Sequence, residues 1–150
     1  MPTASATANS SMTLLRPMSV AKTQDMGFGT IVQGNGLITL AADGTLTTGG
    51  TTDKTASSAS SVKVAQFTIS GEGAQEISIT VPGTFSLTNG SSSLTVTTLH
   101  NITDVAHTNL SGSLAGSGSY SFNVGGSFSL AGTEATGNYT GSFTVSANYN

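Results

Sequence analysis

An all-β sandwich is the fold class this chain predicts, and three observations predict it. About ten short stretches alternate apolar and polar residues with period two, the mark of strands with one buried face. Turn signals built on Gly, Pro, Asn and Asp recur about every eight to twelve residues, the spacing of sandwiches and barrels. No stretch carries an apolar stripe of helical period over a useful length, and no segment repeats at a fixed period, which disfavours a solenoid or propeller. The 150 residues make about one domain, large enough to bury a core without disulfides or metals.

The element that organises the others comes last. Residues 137–150 place Tyr139, Gly141, Phe143, Val145, Ala147 and Tyr149 on one parity and polar residues on the other. This predicts a strand that ends the chain, whose partner must come from an earlier segment or from another molecule.

At the other end, Ala4, Ala6, Ala8, Met12 and Leu14 share a parity broken only by Ser10, so residues 2–15 can form a strand with a shallow apolar face. Pro17 removes a ladder donor and holds Arg16 extended. The expected division is an N-terminal extension, residues 1–16, and a sandwich domain, residues 17–150. A frayed, Ala/Ser-rich tail is the alternative for the extension.

Within the body, Met18 and Val20 open a short strand, and two glycines bracket Phe28 in Asp25-Met-Gly-Phe-Gly-Thr-Ile-Val32. That pattern predicts a bend where the chain changes partners. Gly34-Asn-Gly36 predicts a turn, and residues 37–48 a hairpin around Asp43-Gly44, the strongest hairpin signal in the chain. Residues 49–61, rich in Gly, Thr, Ser and Ala, read as a surface loop. From Val62 and Val64 to Phe67 and Ile69 the apolar parity switches, which predicts a bulge near Ala65. Residues 77–81 alternate cleanly, Pro82-Gly83 turns the chain, and Phe85 and Leu87 continue it to Asn89-Gly90. Leu94 and Val96 open another strand, and residues 99–118 are polar and irregular. Tyr120, Phe122, Val124, Phe128 and Leu130 then hold one parity over eleven residues, with Gly126 in the gap, and residues 132–136 link this strand to the last.

Composition narrows the function classes. Only 7% of residues are charged, and the four basic ones, Arg16, Lys22, Lys54 and Lys63, are scattered, so no basic patch is expected to neutralise several phosphates and nucleic acid is not expected as a partner. The net charge of −3 comes from dispersed acids and favours solubility without pointing to a ligand. With no cysteine, the redox compartment is not readable. No apolar run reaches the roughly 18 residues of a membrane span. The start of the chain lacks a secretory leader's charged and apolar regions, so an exported protein would already have lost its leader. The uncharged Ser/Thr/Asn/Gly surface suits an extracellular β protein.

Motifs for chemistry are few. Ser19-Val-Ala-Lys22 and Ser60-Ser-Val-Lys63 match Ser-x-x-Lys, but that nucleophile pattern needs a helix and a Lys-Thr-Gly partner. His100, Asp104 and His107 could form a weak metal site, although imidazoles in a polar loop are more often solvated; no metal or other cofactor is expected. Asp43 is explained by its turn, without Ca²⁺. Acceptor triplets for glycosylation at Asn9, Asn89, Asn101, Asn109 and Asn138 are expected by chance in so Ser/Thr-rich a chain. No nucleophile, base and orienting group can be named together, so an enzyme is not expected.

The whole chain, with Asp25-Met-Gly-Phe-Gly-Thr-Ile-Val32 near its start and residues 137–150 at its end, resembles the bacterial surface family called domain of unknown function 4402. The C-terminus is also similar to that of chaperone–usher pilins, which have alternating apolar residues, a penultimate aromatic and a glycine fourteenth from the end; Tyr149 and Gly137 hold those positions here. The pilin resemblance implies an immunoglobulin-like sandwich lacking its last strand, completed by the N-terminal strand of the next subunit. In that arrangement Ala4, Ala6, Ala8, Met12 and Leu14 would form the donor strand, and Tyr139, Phe143, Val145, Ala147 and Tyr149 the acceptor side. It implies a homopolymeric fibre at the bacterial cell surface, with a periplasmic chaperone and an outer-membrane usher as assembly partners. The chain departs from the pilin pattern in having no cysteine pair and a mostly Ala donor face. β-Augmentation needs only an arm with one apolar face and a body with an open strand edge, and a head-to-tail contact of that kind propagates into a fibre. The competing expectation is a monomeric surface or biofilm-matrix module that binds carbohydrate or protein, with the N-terminal strand folded into its own sheet.

Overall fold

A computed structural model describes residues 1–150. In chain order the strands are β1 (Ser19–Gln24), β2 (Gly27–Phe28), β3 (Ile31–Val32), β4 (Asn35–Leu40), β5 (Leu46–Thr48), β6 (Asp53–Lys54), β7 (Val62–Lys63), β8 (Ala65–Glu72), β9 (Glu76–Thr80), β10 (Thr84–Thr88), β11 (Ser93–His100), β12 (Thr108–Asn109), β13 (Ser117–Ala131) and β14 (Ser146–Tyr149). One five-residue 3-10 turn, Ala56–Ser60, is the helical content. Every strand pair is antiparallel.

The 15-residue β13 is the axis. Its first half pairs with β8 from Ser117↔Glu72 to Val124↔Ala65, and β8 carries β1 on its other edge. Its second half pairs with β4 from Gly126↔Leu40 to Ala131↔Asn35, while residues 124–127 pair with β11, and β10 follows. One strand can serve both groups because Gly125 and Gly126 stand where they divide. A Cβ on Gly125 would collide with the Leu40 carbonyl, and one on Gly126 with the Val96 side chain, so only glycine lets the crossing backbones approach. The smaller sheet, β12-β9-β14, packs against the first half as the opposing layer of a sandwich-like fold.

Apolar residues fill the space between the layers in two adjoining clusters. Phe67, Ile69, Ile77, Ile79, Phe122, Val124 and Val145 belong to one; Ile38, Leu40, Leu46, Leu94, Val96 and Phe128 belong to the other. Met26 packs against both. Each fully buried side chain of this size contributes about 1.5–3 kcal/mol, so the period-two faces are what hold the layers together.

Most strands fall where the alternation puts them, with informative differences. The bend at residues 25–32 does exchange partners: β1 lies on β8, β2 on β7 and β3 on β6. Asp43-Gly44 closes the β4–β5 hairpin, with Gly44 at φ +95° and the Asp43 carboxylate accepting the Thr45 N–H at 2.9 Å. Gly34-Asn-Gly36 is not a turn, because β4 already begins at Asn35. These glycines admit instead the close backbones of Thr51 and Gly49. The parity switch lies at Val64 and Ala65, both buried, where the chain passes from β7 to β8. The bulge itself is on the facing strand, since the β1 register slips between Lys22 and Gln24. Residues 49–61 are less open than expected, as Thr52 and Ser58 are buried. The irregular 99–118 region contributes Ile102 and Leu110 to the core.

Candidate functional site

The C-terminal residues alternate as their sequence requires. Tyr139, Phe143, Ala147 and Tyr149 are half-buried, Val145 is buried, and the residues between them are exposed. They do not form one continuous strand, however. β14 pairs with β9 from Ser146↔Thr80 to Tyr149↔Ile77, and Thr140 exchanges two backbone hydrogen bonds with Thr88, at 2.9 and 3.0 Å. Between these anchors, Gly141 to Val145 make no backbone hydrogen bond.

The cause lies in the neighbouring strand. Five residues, 141–145, face seven, 81–87, because Pro82-Gly83 bends the chain between β9 and β10. That bend is held elsewhere: the Thr98 hydroxyl donates to the Pro82 carbonyl at 2.6 Å, and the Thr98 N–H to the Gly83 carbonyl at 3.0 Å. Gly141 passes so close to the Ser86 carbonyl that any Cβ there would clash. The segment therefore runs along β10 without joining its ladder.

A groove of about 1240 Å³ opens beside this stretch. One rim is residues 134–145; the other is β1, the outermost strand of its sheet, at Val20 and Lys22, together with the bend through Phe28. Ala65, Phe67, Leu94 and Phe128, buried members of the two core clusters, line its floor. Phe143 stands against Phe85 and Phe67, with ring centroids 4.9 and 5.9 Å apart. The Lys22 ammonium lies 2.7 Å from the Asp25 carboxylate on the rim. The hydrogen bond from Lys22, then its charge, holds the Asp25 carboxyl below the usual range. A groove with an apolar floor, whose border carries Lys22, Asp25, Lys63 and Glu134 in balanced charge together with unsatisfied backbone, suits an uncharged, extended segment with one apolar face.

Of the residues expected on the acceptor side, Tyr139, Phe143 and Val145 line the groove. Ala147 and Tyr149 lie beyond its end in the β9–β14 ladder. Ala4, Ala6, Ala8, Met12 and Leu14 are all exposed, Met12 at 80% and Leu14 at 79%. Residues 1–14 form no strand, and the first residue bonded to the body is Arg16. Phe85 was visible as part of a short strand, but its place beside Phe143 follows from the Pro82-Gly83 bend, which local alternation does not encode.

At the root of the arm, Glu72 is buried, with 3% exposure. Its Oε1 accepts the Arg16 backbone N–H and Nε, each at 3.1 Å, and its Oε2 accepts the Ala115 N–H at 2.6 Å. The Arg16 backbone N–H, then the Arg16 side chain and the Ala115 N–H, hold the Glu72 carboxyl below its ordinary value, against the effect of burial. The Tyr149 hydroxyl donates to the Arg16 carbonyl and accepts the Glu72 N–H, both at 2.7 Å.

Neither histidine borders the groove. His100 Nδ1 accepts the Ile102 N–H at 3.2 Å, whereas His107 Nδ1 meets the Glu76 carboxylate at 3.0 Å. That contact raises the His107 pKa and lowers that of Glu76. No three His, Asp or Glu side chains converge with metal-binding geometry. Ser19 and Lys22 lie on an extended strand, and Lys22 pairs with Asp25.

These features define an all-β, sandwich-like protein with an open apolar groove and an unpaired N-terminal arm; no helix is long and apolar enough to cross a membrane. The chain belongs to the family described as Domain of unknown function (DUF4402), whose model matches residues 18–149. The match begins just after Pro17 and leaves the arm outside it. Comparisons with curated proteins and with solved structures give no match.

Proposed function

We propose that this chain is a structural subunit of an extracellular fibre, in which each subunit's groove receives the N-terminal arm of its neighbour. The observation that carries the reading is a pairing of two incomplete features. Gly141 to Val145 leave a strand edge and an apolar groove open, while Ala4, Ala6, Ala8, Met12 and Leu14 present one apolar face with nothing against it. Dimensions and charge support it. Residues 3–14 extend about 40 Å, enough to run along the rim, and residues 2–15 carry no charge. An inserted arm would complete an immunoglobulin-like sandwich, supply partners for the free backbone edge and cover the open floor.

The contact is head-to-tail and does not close, so it propagates. The assignment extends to the bacterial cell surface, a leader removed on export, and a chaperone and usher that would shield the groove until the arm arrives. It assigns no catalysis. The test is removal of residues 3–15 followed by negative-stain microscopy and sizing of the purified protein. The full chain should give regular filaments and the truncated chain none. Filaments from the truncated chain would overturn arm donation, and a full chain that stays monomeric with a melting temperature that truncation leaves unchanged would favour the self-contained surface module.

A further inference from the structure

The root of the arm is bound more firmly than a linker requires. Arg16 uses its backbone N–H, backbone carbonyl and guanidinium: the N–H and Nε go to the Glu72 carboxylate, the carbonyl takes the Tyr149 hydroxyl, and an Nη donates to the Ala115 carbonyl at 3.2 Å. Glu72 is the one buried carboxylate in the chain, and burying it costs stability unless its oxygens are satisfied. All its named partners lie at one place, where the arm leaves the body. Tyr149 adds a second constraint, because its hydroxyl bridges Arg16 to the Glu72 N–H. Gly71 makes room for it, since a Cβ there would sit 2.5 Å from that hydroxyl. Pro17 then limits the backbone just beyond the bonded residue.

We infer that Glu72 and Tyr149 are positioning residues that clasp Arg16 and fix the direction in which the arm leaves the body. Tyr149 also ends β14, which follows directly on residues 141–145 at the border of the groove. The segment that borders the site for an incoming arm thus leads into the strand that holds the root of the outgoing one. If subunits join as proposed above, the clasp sets the angle between successive subunits, and that consequence rests on the fibre reading. The clasp itself does not.

The chain has no cysteine, so Thr13→Cys and Thr95→Cys place two spin labels without background. In the full chain, diluted with unlabelled protein, the distance distribution between them should be narrow. Tyr149→Phe, which removes only the bridging hydroxyl, should broaden it and speed exchange of the Arg16 amide by about tenfold, while the Ile69 and Ile77 amides keep their rates. Arg16→Ala should broaden the distribution without touching the Tyr149 ring. Unchanged widths and an unchanged Arg16 amide rate in Tyr149→Phe would overturn the inference, whether or not the protein forms filaments. Broadened widths with no filaments from the parent chain would retain the clasp and reject the fibre.

Discussion

Leu14 and Thr13 differ in the face they present, and that difference carries a test of the arm. Met12 and Leu14 are the large apolar residues on the arm's even-numbered face and are mostly exposed, whereas Leu15 on the other face is half-buried; once buried in a neighbour's groove, Met12 and Leu14 would each contribute about 1.5–3 kcal/mol. Leu14→Asp should therefore abolish filaments while leaving the melting curve of the isolated subunit unchanged, and Thr13→Asp should be milder. Equal effects would mean that the arm does not enter as a strand. A second contrast separates core from groove. Phe122 is fully buried, so Phe122→Ala should cost about 3–5 kcal/mol in urea unfolding. Phe143 is only half-buried on the groove's edge, so Phe143→Ala should cost the isolated subunit about 1–2 kcal/mol. At Glu72 the sign of the pH effect is fixed. Its carboxyl titrates below the ordinary value of 4.5 when folded, so its contribution is complete above that value and is lost as pH falls through the folded pKa. Glu72→Gln should lower stability at neutral pH and flatten the acid-side fall; parallel stability curves for parent and variant would contradict the assignment.

At the scale of the element, the C-terminal segment divides into paired and unpaired lengths. Ile77 and Ile79 pair with β14 and are buried, whereas Gly141 to Val145 have no backbone partner. Amide exchange should be fast for Gly141 and Phe143, whose N–H groups point away from the edge that Thr140 and Asn150 bond, in the isolated subunit and slow in the filament, with Ile77 and Ile79 slow in both. Fast exchange that persists in the filament would place the arm elsewhere. The sequence made the faces of this element legible and left its pairing hidden. Tyr139, Phe143 and Val145 turn inward because alternation depends on local backbone geometry. The five-against-seven mismatch arises from Pro82-Gly83, nearly sixty residues earlier by sequence number, and a long-range register has no local signature. The same limit hid Glu72: nothing around it marks a buried carboxylate, because its partners Arg16 and Ala115 lie 56 and 43 residues away. Gly125 was likewise unremarkable until β4 was brought against it.

Across the whole molecule, two incomplete surfaces face outward: a strand-like arm without a sheet and a sandwich with an open seam. Their complementarity can be measured without assuming any fibre. The direct measurement is the melting temperature of the body, residues 16–150 with Arg16 retained, against the concentration of a synthetic peptide of residues 2–15. A ligand that binds only the folded state stabilises it as RT ln(1 + [L]/Kd), about 2.7 kcal/mol at a hundredfold excess over Kd. The body alone should melt early, and its melting temperature should rise with peptide occupancy, with a Leu14→Asp peptide far less effective. A body that is already fully stable and ignores the peptide at every concentration would contradict it.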